Sequence, residues 1–176
     1  MKDIIAGAVE LQSFCEARGW RFCFIGGLAV QRWSEPRFTH DADLTLLSGF
    51  GSEEGFIDPL LANFAARFTG EREFALQHRA LRLVASNDVP LAIALDALPF
   101  EEHTVQRSSR WHLPGYPTGL VTCSADDLIV HKAFAARPRD WLDLESIVLR
   151  QRRKLNVEQI WTELRPLVAL KEERKS

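Results

Sequence analysis

The chain has little of what marks a secreted, membrane-borne or nucleic-acid-coating protein. Its three cysteines, Cys15, Cys23 and Cys123, are odd in number and lack metal-site spacing. That excludes a disulfide framework and predicts reduced, mostly buried thiols of a cytoplasmic protein. No uninterrupted apolar run approaches the ~20 residues that span a bilayer, so no membrane role is expected. The start, Met1-Lys2-Asp3, brings an acid early, and Glu10 breaks the following apolar stretch, which predicts no secretory signal. Neither sign of charge dominates: 22 Lys and Arg against 24 Asp and Glu leave a net charge of -2, giving no support for bulk nucleic-acid binding. What remains is 176 residues, 46% of them apolar, enough for one domain with a sizeable core.

Helical spacing of Ile4, Ala8, Leu11 and Cys15 predicts a first helix, with Gly19 placed for a left-handed cap. Arg21 to Ile25 is a short strand that ends at Gly26-Gly27, and Leu28 to Ser34 follows as a short helix stopped by Pro36. Strand, two glycines, helix is an order that aims backbone N–H groups at an anion. Asp41 to Leu47 is a second strand whose period of two puts Asp41, Asp43 and Thr45 on one face. Ile57, Leu60, Leu61, Phe64, Ala65 and Phe68 predict a helix. Leu81 to Ala85 and Leu91 to Leu98 read as an antiparallel pair around Ser86-Asn87-Asp88, with Pro90 opening the second strand. Residues 99–120 offer mainly the loop cluster from His112 to Pro117. After about residue 124 the pattern is helical: Ser124 opens a helix to about Ala136, Asp140 to Arg150 forms another, and Asn156 caps a last one. The tail after Leu170 is expected to be a frayed helix end, and Trp141 and Trp161 to anchor the core between these helices. The expected fold class is α/β (α+β in the finer sense). A small mixed sheet with helices on one side fills residues 1–123, and a helical segment fills residues 124–176.

The acids carry the chemistry. Asp41 and Asp43 lean from one strand face, and carboxyl groups roughly 5 Å apart repel by about 3 kcal/mol at an effective dielectric near 20. A divalent cation offsets this, and Mg²⁺ favours one or two carboxylates plus phosphate oxygens. Asp96 closes a strand that is apolar on both faces, which predicts burial, and an unpaired buried charge costs several kcal/mol. If that strand lies beside Asp41 and Asp43, three acids converge on a two-metal site, the third also serving as base toward an acceptor hydroxyl. His40 borders the pair and reads as a surface neighbour; Arg37 reads equally as a phosphate contact or a partner of Glu35.

Ile25-Gly26-Gly27, Asp41-Ala42-Asp43 and Leu95-Asp96-Ala97 together resemble the polymerase-β-like nucleotidyltransferase superfamily: a glycine turn, an acid-x-acid strand, then a third acid. The stretch from Gly26 to Leu44, with Arg37-Phe38-Thr39 ahead of the acid pair, is similar to the small bacterial AbiEii-type nucleotidyltransferases. Asp126 to Lys132 and Arg137 to Asp143 resemble the helical part of that group. The resemblance implies a Mg²⁺- or Mn²⁺-dependent transfer of a nucleoside monophosphate from an NTP to an acceptor hydroxyl of RNA, protein or a small molecule. Asp41, Asp43 and Asp96 would be metal ligands and catalytic residues. Gly26, Gly27, Arg37, Thr39, Lys132 and Asp143 would bind or position the phosphates. It also implies a toxin or antitoxin partner. Two departures stand out: Ala42 between the acids, and Gly27 where a serine is usual. The alternative is a catalytically inactive module of the same fold that binds nucleotide or a partner protein.

Overall fold

The structure, a computed structural model, describes residues 3–174. Met1 and Lys2 of the expected leaderless start, and Lys175 and Ser176 of the tail, lie outside the described residues. Helix α1 (Ile4–Ala17) is capped by the Asp3 carboxylate, which accepts from the Ala6 N–H at 3.1 Å, and it stops before Gly19, whose φ is 64°. Strand β1 (Phe22–Phe24) leads through the glycine turn into α2 (Gly26–Trp33), and β2 (Ala42–Leu47) follows. Helix α3 (Glu54–Asn63) ends earlier than the apolar stripe predicts, because Phe64 is extended and Ala65–Ala66 forms the short strand β3.

Helix α4 (Glu71–His78) was not foreseen. Then β4 (Ala80–Val84) and β5 (Pro90–Asp96) form the expected antiparallel pair, with Pro90 opening the second strand. Residues 99–120 hold more than a loop: helix α5 (Pro99–Gln106) and a hairpin of β6 (Ser109–Leu113) and β7 (Tyr116–Thr122) turning at Gly115, φ 83°. Helices α6 (Ala125–Ala135), α7 (Pro138–Gln151) and α8 (Val157–Glu173) complete the chain.

Among the described residues seven strands make one mixed sheet in the order β3-β4-β5-β2-β1-β7-β6. β1 runs antiparallel to β2 and parallel to β7, while β2 and β5 run parallel. Side-chain alternation splits the interior into two cores, so both sheet faces are covered, not one. Phe22, Phe24, Leu44, Leu46, Leu91, Ile93 and Leu95 pack with α1 and α3. Cys23 and Cys123 pack on the other face with α2, Phe100 of α5, and α6 to α8. All three cysteines are free and buried, as expected, and burial raises their thiol pKa values. Trp141 and Trp161 are not anchors. They are 56% and 50% exposed, on the outer sides of α7 and α8. No helix among the described residues is long and apolar enough to cross a membrane.

Candidate active site

The glycine turn and the start of β2 are built against each other. The Ile25 N–H donates to the Asp43 carbonyl at 2.9 Å, pinning the end of β1 to the acid strand. Gly26 has a φ of 58°, and a Cβ there would lie 2.8 Å from Asp43 Cγ, so both conformation and space require glycine. A Cβ on Gly27 would lie 2.6 Å from the Thr39 Cβ and overlap the Thr39 hydroxyl. The absent serine hydroxyl therefore has a local counterpart: Thr39 fills the place that a side chain at 27 would take. Burial and the neighbouring Asp41 push the Asp43 pKa up to about 6, against the pull of the Gly27 amide, Lys132 and Arg137.

Facing the acids is a chain of charges from the helical half. Lys132, 7% exposed, donates to Asp140 Oδ1 at 2.8 Å and lies 2.8 Å from Asp143 Oδ2. Asp143 is also held by Arg37 through two bonds, Nε to Oδ1 at 2.7 Å and Nη2 to Oδ2 at 2.8 Å. Arg37 thus pairs with Asp143 rather than with Glu35, which meets Arg150 instead. Asp140 accepts from the Arg137 N–H at 3.1 Å and from Arg137 Nε at 2.8 Å, at the start of α7. Burial works to raise Asp140, but the bonds from Arg137 and Lys132 outweigh it and hold the carboxyl down at about 2. Asp143 is lowered too, the bonds from Arg37 and Lys132 outweighing its burial. Arg139 donates to the Phe38 carbonyl at 3.1 Å, tying α7 to the loop before β2.

Between these walls lies a cavity of about 630 Å³. Its lining includes Gly26, Gly27, Arg37, Thr39, His40, Asp41, Asp43, Lys132, Arg137, Arg139 and Asp140: four basic side chains against three carboxylates. His40 lies exposed at its edge, with its ring 4.6 Å from that of Phe38. A second cavity of about 330 Å³ adjoins it, sharing His131 and Phe134. Leu98, Phe100, Leu167 and Leu170 make this one apolar, with Glu101, Lys171 and Arg174 at its polar positions. Burial lowers the His131 pKa to about 4, so the wall between the cavities is neutral at pH 7.

Asp96 does not join Asp41 and Asp43. In the parallel β2–β5 register Asp43 stands beside Ala92, Thr45 beside Ala94, and Leu47 beside Asp96. The acid is on the expected face but four residues further along, roughly 13 Å at ~3.3 Å per residue, beyond a shared cation. It faces the opposite end of the strands, where burial raises its pKa to about 6 against the pull of the Thr45 hydroxyl and Arg79, and where it helps raise Glu101 to about 7. Nor is β5 apolar-packed on both sides: Leu91, Ile93 and Leu95 are buried while Ala92 and Ala94 are half-exposed. Among the described residues no three His, Cys, Asp or Glu side chains gather to hold a metal ion. The Asp41–Asp43 pair, opening on a cavity with Gly26 close behind it, fits one divalent cation completed by phosphate oxygens. Among the described residues the third carboxylate of the lining, Asp140, is already taken by Lys132 and Arg137, which leaves the pair without a free third acid for a second ion.

The sequence reading gave no role to Arg137, Arg139 or Asp140. The available signal was an Asp at the third position after Arg137 with Pro138 between, a helix start whose acid caps its own N–H.

The family model described as nucleotidyl transferase AbiEii toxin, Type IV TA system, matches residues 15–174. The fold is shared with ANT(2'')-Ia, an antibiotic-resistance factor solved in solution, at 15% identity and a TM-score of 0.63 over 97% of this chain and 94% of that one. It is shared with the lincomycin-bound lincosamide antibiotic adenylyltransferase LnuA, at 11% identity and a TM-score of 0.54 over 81% of this chain and 94% of that one. An antigenic nucleotidyltransferase-like protein from Paracoccidioides brasiliensis matches at 16% identity and 0.53, over 96% and 88%. Among curated protein sequences none matches.

Proposed function

Because the chain belongs to the nucleotidyl transferase AbiEii toxin family, we propose that it transfers a nucleoside monophosphate from an NTP to an acceptor hydroxyl. The acceptor oxygen bonds to the α-phosphorus, the bond to the bridging oxygen breaks, pyrophosphate leaves and the hydroxyl proton is released. The observation that carries this reading is the opposition of two walls across one cavity. Asp41, Asp43 and the Gly26–Gly27 turn form one; Arg37, Lys132, Arg137 and Arg139 form the other.

In this reading the turn presents backbone N–H groups and the Thr39 hydroxyl to phosphate oxygens. Lys132 spends two of its three donors on Asp140 and Asp143 and keeps one for the cleft. Arg137, whose side chain is 73% exposed, and Arg139 reach the outer phosphates. Asp41 and Asp43 hold Mg²⁺ or Mn²⁺, which when bound neutralises the triphosphate and polarises the reacting phosphoryl group. The sheet part, residues 1–123, supplies the acids, the turn and Arg37; the helical part, residues 124–176, supplies Lys132, Arg137 and Arg139.

The acceptor that this geometry favours is a small hydroxylated molecule with an apolar body, seated in the adjoining 330 Å³ cavity and reaching the phosphate past His131. The solved relatives include ANT(2'')-Ia in complex with adenylyl-2''-tobramycin, consistent with small-molecule acceptors on this fold. The family description also makes an antitoxin protein a proposed partner. Incubation with α-labelled NTPs, Mg²⁺ and fractionated cell extract tests the reading. Label should move to a small molecule and pyrophosphate should appear, and neither should occur with Asp41→Ala or Asp43→Ala. Retained pyrophosphate release in both variants rejects the assignment. One observation favours a second reading, a nucleotide-binding module without turnover: the acid expected at 96 stands away from the pair. Tight NTP binding with no label transfer to any fraction would select it.

A further inference from the structure

Resting on the nucleotidyltransferase reading, we propose that this cleft takes one divalent cation rather than two, and that the Arg67 guanidinium stands on the flank of Asp41 where a second ion would sit. Two independent observations carry this. The first is register. The three neighbours across the sheet at the acid pair are Asp43 on β2, Ala92 on β5 and Arg82 on β4, all on one face. A second cation beside Asp43 needs a further carboxylate in that row, and the row holds a methyl group followed by a guanidinium. Ala94, one step further in, offers a methyl again.

The second is charge. Arg67 follows β3, its N–H bonds to the Arg82 carbonyl at 3.0 Å, and its Nη1 lies 3.7 Å from Asp41 Oδ2. It therefore reaches the acid pair from the β3–β4 side of the sheet. Arg82 does not compete for the acids. Its Nε and Nη2 are bound by the buried Glu71 at 3.0–3.2 Å, and its guanidinium lies 4.4 Å from the Phe68 ring centre and 3.7 Å from that of Phe74. With Arg82 so held, Arg67 is the cation on that flank, and it supplies the positive charge that Asp41 would otherwise draw from a metal. One ion held by Asp41 and Asp43 remains compatible with it; a second ion beside Asp41 would meet the like charge of Arg67, whose Nη1 is 3.7 Å from Asp41 Oδ2.

Counting bound Mn²⁺ per chain by electron paramagnetic resonance, with the full chain saturated by an α,β-methylene NTP, tests this without relying on turnover. The wild type should hold one Mn²⁺ per nucleotide complex; two would overturn the proposal. The double variant Ala92→Asp/Arg67→Ala places a carboxylate beside Asp43 and removes the competing cation. It should bind two ions with the spin–spin broadening of a close pair, and a count that stays at one overturns the assignment of Ala92 and Arg67. If the double variant fails to fold by circular dichroism, the wild-type count alone decides. Failure of the underlying reading looks different: the wild type then shows no nucleotide-dependent Mn²⁺ binding at all, and Asp43→Asn changes nothing.

Discussion

The two ends of the β2–β5 pair have much in common and do different things. Both carry an aspartate on the same sheet face, and burial raises both to about 6, Asp43 at one end and Asp96 at the other. At the Asp43 end the chain opens into a cavity whose far wall carries Arg37, Lys132, Arg137 and Arg139, with a glycine turn packed against the acid. At the Asp96 end the neighbours are Thr45, Arg79 and Glu101, and the Asp96 carbonyl is capped by the N–H groups of Ser48 and Gly49. Arg79 there bonds to Glu53 and to the Gly49 carbonyl, so its charge closes a loop rather than facing an opening. A perturbed carboxylate is thus weak as a marker by itself. What separates the two ends is the convergence of donors across an open space.

Substitution at the open end should have the largest effect on turnover. Asp43→Asn should reduce NMP transfer by about 10³-fold or more, at unchanged or slightly raised melting temperature, since a buried charge is removed. Steady-state pyrophosphate release alongside a thermal melt checks both halves. Lys132→Ala comes next: it leaves Asp140 and Asp143 buried with one cation fewer, and should cost about 3–5 kcal/mol in urea denaturation together with most of the activity. Gly27→Ser should lose about 1–3 kcal/mol by overlap with Thr39. The double variant Gly27→Ser/Thr39→Gly should recover much of it, a coupling readable in a double-mutant cycle.

The closed end supplies the control. Asp96→Asn should leave turnover within about twofold, if the third-acid role belongs to neither residue nor register there. Its signature is pH-dependent stability. Burial raises the native pKa to about 6 from the ordinary carboxylate value of 3.8, so the native state holds the proton more tightly than the unfolded chain. Stability from this group is therefore full below about pH 4 and is lost as pH rises toward 6, by about 3 kcal/mol, then levels off. Urea midpoints at pH 4.5 and 7 should converge in the variant relative to the wild type. Loss of turnover on a par with Asp43→Asn would erase the distinction between the ends.

Much of this was legible because the signals are local. Two glycines after a β-branched and aromatic strand, alternation from Asp41 to Leu47, the Ser86-Asn87-Asp88 turn and the Ser124 cap each act within a few residues. The misreadings are long-range. Asp96 ends its strand, and a strand end meets the start of β2 only if the two run antiparallel. β5 runs parallel to β2, so the acid lands at the wrong end, and nothing within β5 announces its direction. Helix α4 hides for a different reason. It is polar, and its one buried acid, Glu71, turns inward for Arg82 on a strand that the periodicity of 71–78 does not reveal. Trp141 and Trp161 looked like core by residue type, but α7 turns Ile147 inward and α8 turns Ile160 and Leu167 inward, leaving both indoles outside. Arg67 went unweighed because its contact with Asp41 crosses the sheet.

Asp143 has a mechanical consequence. One carboxylate grips Arg37 on the segment before β2 and Lys132 on α6 at the same time, and it is itself only 4% exposed. Prising the sheet from the helices would strip Arg37 from Asp143 and leave that buried carboxylate with Lys132 alone. The gap between the walls is accordingly a preset gauge, ready for its occupant before arrival, with the exposed side chains of His40, Arg137 and Arg139 around its mouth.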